Sequence, residues 1–340
     1  MKKLINDPYK VCDEMIEGYV AAYGAHLRKV DGCNVIVRKA MSIENRVGVV
    51  IGGGSGHEPL FIGLVGKGMG DAAAPGDIFA APSPDVIIEA VRAVDSGAGV
   101  LFVYGNYAGD NMNFDMAAEM AEAEGYRVET VRVWDDVASA PIERQDERRG
   151  IAGDVFVIKM AGAKAETGAS LDEVKAVTEK ARQNTRTIGV ALSSATIPAT
   201  GEPTFDIGYD EMEIGMGLHG EPGVGRQKLM SADETAEQMT ERVLADLPFV
   251  SGDEVVVLVN GLGSTTLMEL YIINRKVAQV LAAKGIEIYD TTVGTFCTCQ
   301  EMAGCSVTLM KLDDELKELY KMPAWSTVYK RFSHGMFKGE

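Results

Sequence analysis

Short apolar runs that end in glycine alternate along this chain with amphipathic stretches closed by proline or glycine, and the alternation predicts strands interleaved with helices. A helix is predicted from about Pro8 to Tyr23 and a short strand in NVIVRK from Asn34. Val47, Val49, Val50 and Ile51 form a buried-strand run that feeds Gly52, Gly53 and Gly54. The passage GLVGKGMGDAAAPGDIF is too broken for a long helix, and its glycines argue for close backbone packing or ligand approach rather than regular structure. Ser83-Pro84-Asp85 starts a helix, with serine as cap, proline in the first turn and an acid at the positive dipole end; Gly97 ends it. GVLFVYGNY is a buried strand, NFDMAAEMAEAEG a helix closed by Gly125, and RVETVRVWDDV the next strand. This succession predicts an α/β layer with a largely parallel sheet.

DVFVIKMAGAKAETG fits strand or helix; its length up to Gly168 and its lysine spacing favour helix. Ser170 with Glu173 is a capping box that opens a helix to about Ala181, and the strand TIGVALSS follows. A second capping box at Ser231 and Glu234 precedes a helix to about Ala245, then the strand EVVVLV runs into NGLGSTTLMELY. A helix, strands around IEIYDTTV and SVTLMKL, and a last helix near Asp313 to Tyr320 complete the pattern. The expected fold is α/β, with two α/β domains, each a largely parallel or mixed sheet flanked by helices. The expected boundary puts the glycine loop and Asp110 in residues 1–185 and His219 in residues 186–340.

Composition narrows the field. Apolar residues make up 46% and charged residues 24% of 340, ordinary for a globular protein. No apolar run is as long as a membrane span and MKKLINDPYK lacks a signal-peptide core, so a cytoplasmic location is expected. The net charge of −17, without a basic patch, argues against nucleic acid and anionic membrane as partners. Cys12, Cys33 and Cys305 are scattered; Cys297 and Cys299, one residue apart, suit one face of a strand as buried thiols better than a zinc site. No metal is expected.

The stretch VGVVIGGGSGHEP is the first candidate for chemistry. A dinucleotide fingerprint counted from Gly52 or Gly54 meets His57 or Pro59 where its last glycine belongs, and a P-loop counted from Gly48 meets Gly54 in place of lysine. What remains is a set of backbone amides able to approach a ligand or an anion, or simply a tight connection between strand and helix. The chain has four histidines: His26, His57, His219 and His334. His57 in GHEP and His219 in LHGEPG share glycine flanks and a following Glu-Pro, so neither sits within a regular element. Either imidazole can serve as acid, base, nucleophile or ligand, although Glu58 and Glu221 make no recognisable metal spacing with them. YGNYAGDNMNF puts Asp110 on a loop before a helix. If the loops after Ile51 and Tyr104 face one crevice, Asp110 is a carboxylate beside His57; a helix cap or turn residue is the equal alternative.

At these residues the sequence resembles the substrate-binding subunit of dihydroxyacetone kinases, in GGGSGHEP, APGDIFAAPSPD, NYAGD with MNF, MGLHGEPG and LVNGLGSTTLMELY. The resemblance implies that His219 attacks the ketone carbon and holds the substrate as a hemiaminal. It implies further that Asp110 takes the proton of the terminal hydroxyl and His57 assists. Gly53, Gly54, Ser55 and Gly56 are implied to cradle the substrate. It also implies that this chain binds no cofactor itself. ADP or ATP with magnesium would sit on a helical L-type partner subunit, recharged in place by a phosphotransferase-system protein or exchanged for ATP, and the chain would form a homodimer. The sequence departs from familiar versions, which read Lys-Asn-Tyr-Thr-Gly-Asp, at Gly105 and Ala108, and again at Leu60 and Phe61, where small or polar residues are usual. If Gly105 enlarges the pocket, a four-carbon ketose such as erythrulose fits; dihydroxyacetone is the first expectation. A ketone-sensing coregulator without phosphotransfer is the alternative of another class, and a stand-alone nucleotide-dependent enzyme the third.

Overall fold

The computed structural model describes residues 2–39, 45–221 and 223–332; His334 lies outside the described residues. After the opening helix α1 (Val11–Tyr23), a first sheet is built from β1 (Leu27–Lys29), β2 (Ile36–Arg38), β3 (Gly48–Ser55), β4 (Ala72–Ile78), β5 (Val100–Gly105) and β6 (Val128–Val133). The strands lie in the order β1-β2-β4-β3-β5-β6. The four on the β6 side are parallel, and β1 and β2 add an antiparallel edge. Alternation along β3 sends Val50 to one face, against α2 (Pro84–Val94) and α3 (Ala108–Ala123), and Val49 and Ile51 to the other, against α4 (Asp154–Ala165) and α5 (Leu171–Gln183).

The second sheet holds β7 (Thr185–Ala191), β8 (Glu211–Ile214), β9 (Gly225–Lys228), β10 (Glu254–Gly261), β11 (Glu287–Gly294) and β12 (Gly304–Leu312) in the order β11-β10-β12-β7-β8-β9. Only β10 and β11 run parallel, so this sheet is mixed and mostly antiparallel. Helices α6 (Ala232–Asp246) and α7 (Leu267–Ala283) cover one face, packing on Val255, Val257, Val307 and Leu309. The other face, with Val256, Leu258, Met310 and Leu312, joins the apolar cluster of α4 and α8 (Asp314–Lys321).

Helix α4 therefore lies between the two halves, with 11 of its 12 residues buried. A helix enclosed on all sides has no polar stripe, which is why the apolar run DVFVIKMAGAKA leaves strand open beside the helix that its length and lysine spacing favour and that the structure shows. Even Lys159 is enclosed: its Nζ donates to the Leu319 carbonyl of α8 at 2.9 Å, and burial pushes its pKa down to about 7.

The expected capping boxes at Ser170 and Ser231 are present, and Thr266 with Glu269 forms a third that opens α7. Four expectations need correction. Residues 72–78 are a regular strand, because the alanine-rich run fits between β2 and β3 where larger side chains would not be needed. Helix α3 begins at Ala108, so Asp110 stands in its first turn instead of on a preceding loop. Ser83 occupies the cap position of α2, but its side chain makes no capping bond. Cys297 and Cys299 are buried as expected, yet they lie in the loop between β11 and β12, not on a strand. Strands β1, β8 and β9 were not anticipated; each is only three or four residues long and too short to show a period.

Gly162 lets α4 approach the chain at Met69: a Cβ there would fall 2.3 Å from the Met69 carbonyl oxygen. Gly162→Ala should cost about 1–3 kcal/mol in chemical denaturation. Gly18→Ala in α1, where a Cβ meets nothing within 4 Å, should be neutral or mildly stabilising.

Candidate active site

Strands β3 and β5 are parallel neighbours in register, Ile51 beside Val103, so the segments leaving their carboxyl ends open onto one crevice. Strand β3 continues through the glycines to Ser55, and no α-helix follows until α2. A Cβ on Gly52 would lie 2.5 Å from the Ala74 carbonyl oxygen, and one on Gly53 would lie 2.4 Å from the Phe61 ring. The glycines are thus required by packing as well as by access. Gly52, Gly53 and Gly54 form one wall of a small cavity, and His57, Tyr107, Asp110 and His219 line it too. Phe61 and Phe79 flank the histidines' region with φ of 62° and 56°, left-handed values that side chains other than glycine rarely take. The Phe79 ring packs 5.1 Å from His57 and 5.4 Å from His219.

Most of what orients His57 comes from the second half of the chain. Buried Asn260, at the end of β10, accepts from the backbone N–H groups of Phe296 and Cys297 and donates to the Cys297 carbonyl, which makes the following turn rigid. That turn presents the Thr298 carbonyl, 2.7 Å from His57 Nδ1. A carbonyl only accepts, so Nδ1 carries the hydrogen and Nε2 offers a lone pair. Burial, reinforced by the neighbouring His219, pushes the His57 pKa down to about 3, and the ring is neutral near pH 7. Its Nε2 lies 3.0 Å from His219 Nε2.

His219 follows Gly215, whose carbonyl accepts from Arg149, and Arg149 in turn is paired with buried Asp136. Glu221 clamps the histidine twice: one carboxylate oxygen accepts from the His219 backbone N–H at 2.9 Å, the other meets Nδ1 at 2.9 Å. Burial alone would raise the Glu221 pKa, but the bonds and charge of His219 outweigh it and bring it down to about 2. A carboxylate needs a hydrogen on Nδ1. With a hydrogen on each Nδ1, the 3.0 Å contact between the two Nε2 atoms is a hydrogen bond when a third hydrogen is shared between them. For Nε2 of His219 to act as a nucleophile, this shared hydrogen must leave it.

Asp110 completes the arrangement. Burial raises its pKa to about 6, partly offset by attraction to His219, and Oδ1 is buried without a hydrogen-bond partner. That is the range in which a carboxylate can act as a base near neutrality. Tyr107, half-buried and edge-on to His219 at 5.0 Å, also has a buried hydroxyl without a partner.

The structure brings His57, His219, Asp110, Gly53, Gly54 and Gly105 to one cavity. Ser55 and Gly56 do not line it: the Ser55 hydroxyl donates to the Gly76 carbonyl at 2.6 Å, and the Gly56 N–H donates to the Glu58 carboxylate. His26 lies elsewhere, against Trp325. Sequence reasoning missed Gly150, Leu218 and Asp154 as lining residues. Asp154 was hidden in a run that read as apolar, and Thr298 had no local signal at all. The Glu221 contact was legible only as adjacency. Among the described residues no group of three or more His, Cys, Asp or Glu is placed to hold a metal ion, and no helix is long and apolar enough to cross a membrane.

Comparisons with known proteins place the chain in a family. A family profile described as the Dak1 domain matches residues 17–328. The dihydroxyacetone-binding subunit of PTS-dependent dihydroxyacetone kinase 2 from Listeria innocua is 49% identical over 97% of this chain and 99% of its own length. The L-erythrulose kinase of Pectobacterium atrosepticum is 41% identical over 98% of this chain, which spans 57% of that longer protein. Among solved structures, the dihydroxyacetone kinase of C. freundii superposes with a TM-score of 0.89 at 33% identity, over 97% of this chain and 60% of that one. A dihydroxyacetone kinase operon co-activator does so with 0.88 at 31% identity, over 94% of this chain and 98% of its own.

The Asp110 carboxyl should titrate near pH 6 by ¹³C NMR, and higher in His219→Ala, where the charge that favours ionisation is gone. A titration at the ordinary aspartate value, about 3.9, would contradict the burial argument.

Proposed function

The chain belongs to the Dak1 domain family, and from that premise we propose that it is the ketone-binding subunit of a dihydroxyacetone kinase of the PTS-dependent kind. The observation that carries the reading is the approach of His219 Nε2 to His57 Nε2 inside a cavity that Asp110 also lines. A ketone that opens the contact between the two Nε2 atoms would present its carbonyl carbon to His219 and its oxygen to His57.

As His219 Nε2 bonds the carbon, the hydrogen shared by the pair passes through His57 to the carbonyl oxygen, which becomes a hydroxyl. The positive charge of the pair ends on the N-alkylated ring of His219, whose Nδ1–H still faces Glu221. Atoms and charge balance without a further reagent. Burial holds His57 neutral at rest, so the hydrogen is delivered instead of retained. Only a carbonyl compound can form this bond, which rejects plain polyols such as glycerol. The terminal hydroxyl of the captured ketone then attacks phosphorus while Asp110 takes its proton.

The nucleotide and its magnesium belong to a partner subunit in this proposal. Support comes from relatives that match this chain along nearly their whole length and are named as binding subunits of PTS-dependent kinases. A magnesium nucleotide there supplies the phosphoryl group and neutralises its charge. The likeness to a co-activator keeps ketone sensing as a second reading. Asp110 favours catalysis over sensing, since capture by His219 needs no base at the terminal hydroxyl.

With dihydroxyacetone, intact-protein mass spectrometry should show a gain of one whole ketone that His219→Ala abolishes. Asp110→Asn should keep the adduct yet lower turnover with a nucleotide-loaded partner roughly 10²- to 10⁴-fold. Ordinary turnover by that variant would favour a different base. Because the base must be ionised and burial raises its pKa, kcat/KM should climb with pH through about 6 and level off above it. A profile flat from pH 5 to 7 (on the order of one unit either side of that value) would exclude Asp110 as the base.

A further inference from the structure

A second carboxyl in the cavity has no part in the chemistry above. Asp154, the first residue of α4, lines the cavity while its side chain is almost wholly enclosed, and its Oδ1 is buried with no hydrogen-bond partner. An aspartate at a helix start ordinarily serves the free backbone N–H groups there. Here those groups are already occupied: the N–H groups of Asp154, Val155 and Phe156 donate to the carbonyls of Ile151, Ala152 and Gly153, and just ahead of the helix Asp135 accepts from the N–H of Ile151 at 2.8 Å and from that of Gly153 at 2.7 Å. Asp154 is left without a structural task.

Two glycines lie beside it. A Cβ on Gly105 would fall 3.3 Å from Asp154 Oδ2 and 3.3 Å from the Gly150 carbonyl oxygen, and both glycines line the cavity. The missing side chains leave the carboxyl accessible to a ligand and to little else. α4 is gripped between the two halves of the molecule, so the carboxyl is held in place before any ligand arrives.

Resting on the ketose reading of the site, we infer that Asp154 selects for substrate length by hydrogen-bonding the additional hydroxyl of a four-carbon ketose, and is a specificity residue of this site. Burial, together with the nearby Asp135 and Asp110, pushes its pKa well up. When protonated, that carboxyl has one donor and one acceptor, the complement of a hydroxyl group, and when ionised it still accepts from one. A three-carbon ketose leaves that carboxyl unpartnered, and a site built to bond a hydroxyl discriminates against the analogue that lacks it.

The test measures equilibrium binding of dihydroxyacetone, D-erythrulose and L-erythrulose to the full chain by calorimetry. It compares the native protein, Asp154→Ala and Asp154→Asn, with a thermal midpoint for each. Asp154→Ala should cut the preference for the better erythrulose over dihydroxyacetone about tenfold, with dihydroxyacetone affinity changed less than about threefold. Asp154→Asn, whose amide also donates and accepts, should keep most of the preference. Both variants should melt at or above the native midpoint, because they remove a buried, unpartnered carboxyl. An unchanged ratio in Asp154→Ala, an equal loss for all three ketoses, or a lowered midpoint in both variants would overturn the inference and make Asp154 structural. If the native protein binds none of the ketoses, the functional reading itself falls and the inference with it. Adduct formation with dihydroxyacetone in the native protein separates that failure from failure of the selectivity claim.

Discussion

One backbone carbonyl, that of Thr298, decides what the two histidines can do. By accepting from His57 Nδ1 it fixes the tautomer of a ring too buried to take up a proton easily, and so turns a lone pair toward His219. Were that carbonyl rotated away, His57 could present either nitrogen, and the hydrogen shared with His219 would have no defined acceptor. The carbonyl is held by a buried amide, Asn260, whose oxygen and nitrogen are both occupied. A satisfied buried polar network of this kind is rigid because any movement would strand a donor or acceptor away from water.

The same low-dielectric setting is used in opposite directions on neighbouring groups. Burial lowers His57 and raises Asp110, because in each case it penalises the charged form. Glu221, also largely enclosed, stays ionised because His219 bonds it twice. A carboxyl with its pKa raised to about 6, a neutral imidazole and a carboxylate held ionised thus stand close together. The opposite signs for His57 and Asp110 follow from which protonation state of each is charged, and the difference between Asp110 and Glu221 follows from their partners.

Helix α4 ties this chemistry to the fold. It packs on β3 and β5 on one side and α8 on the other, and its first residue reaches the cavity. The helix that joins the two halves therefore also carries a carboxyl with no partner of its own, a destabilising feature that the surrounding apolar packing has to offset. Asp110, Asp154 and Tyr107, each with a buried oxygen that lacks a hydrogen-bond partner, all line the same cavity.

Local chemistry made much of this readable in advance. Capping boxes at Ser170 and Ser231, the buried-strand runs at Val47 and Glu254, and the glycine-flanked histidines each depend on neighbours a few residues away. The sequence by itself therefore determined the α/β succession, most helix starts, and His57, His219 and Asp110 as the residues to watch. Only the tertiary structure decided that His57 and His219, 162 positions apart, bring their Nε2 atoms within 3.0 Å, that Thr298 sets the tautomer of His57, and that Asp154 lines a cavity from the start of an apolar helix. The physical reason is that burial and hydrogen-bond geometry are properties of a residue's surroundings, and here those surroundings come from segments far apart in the chain.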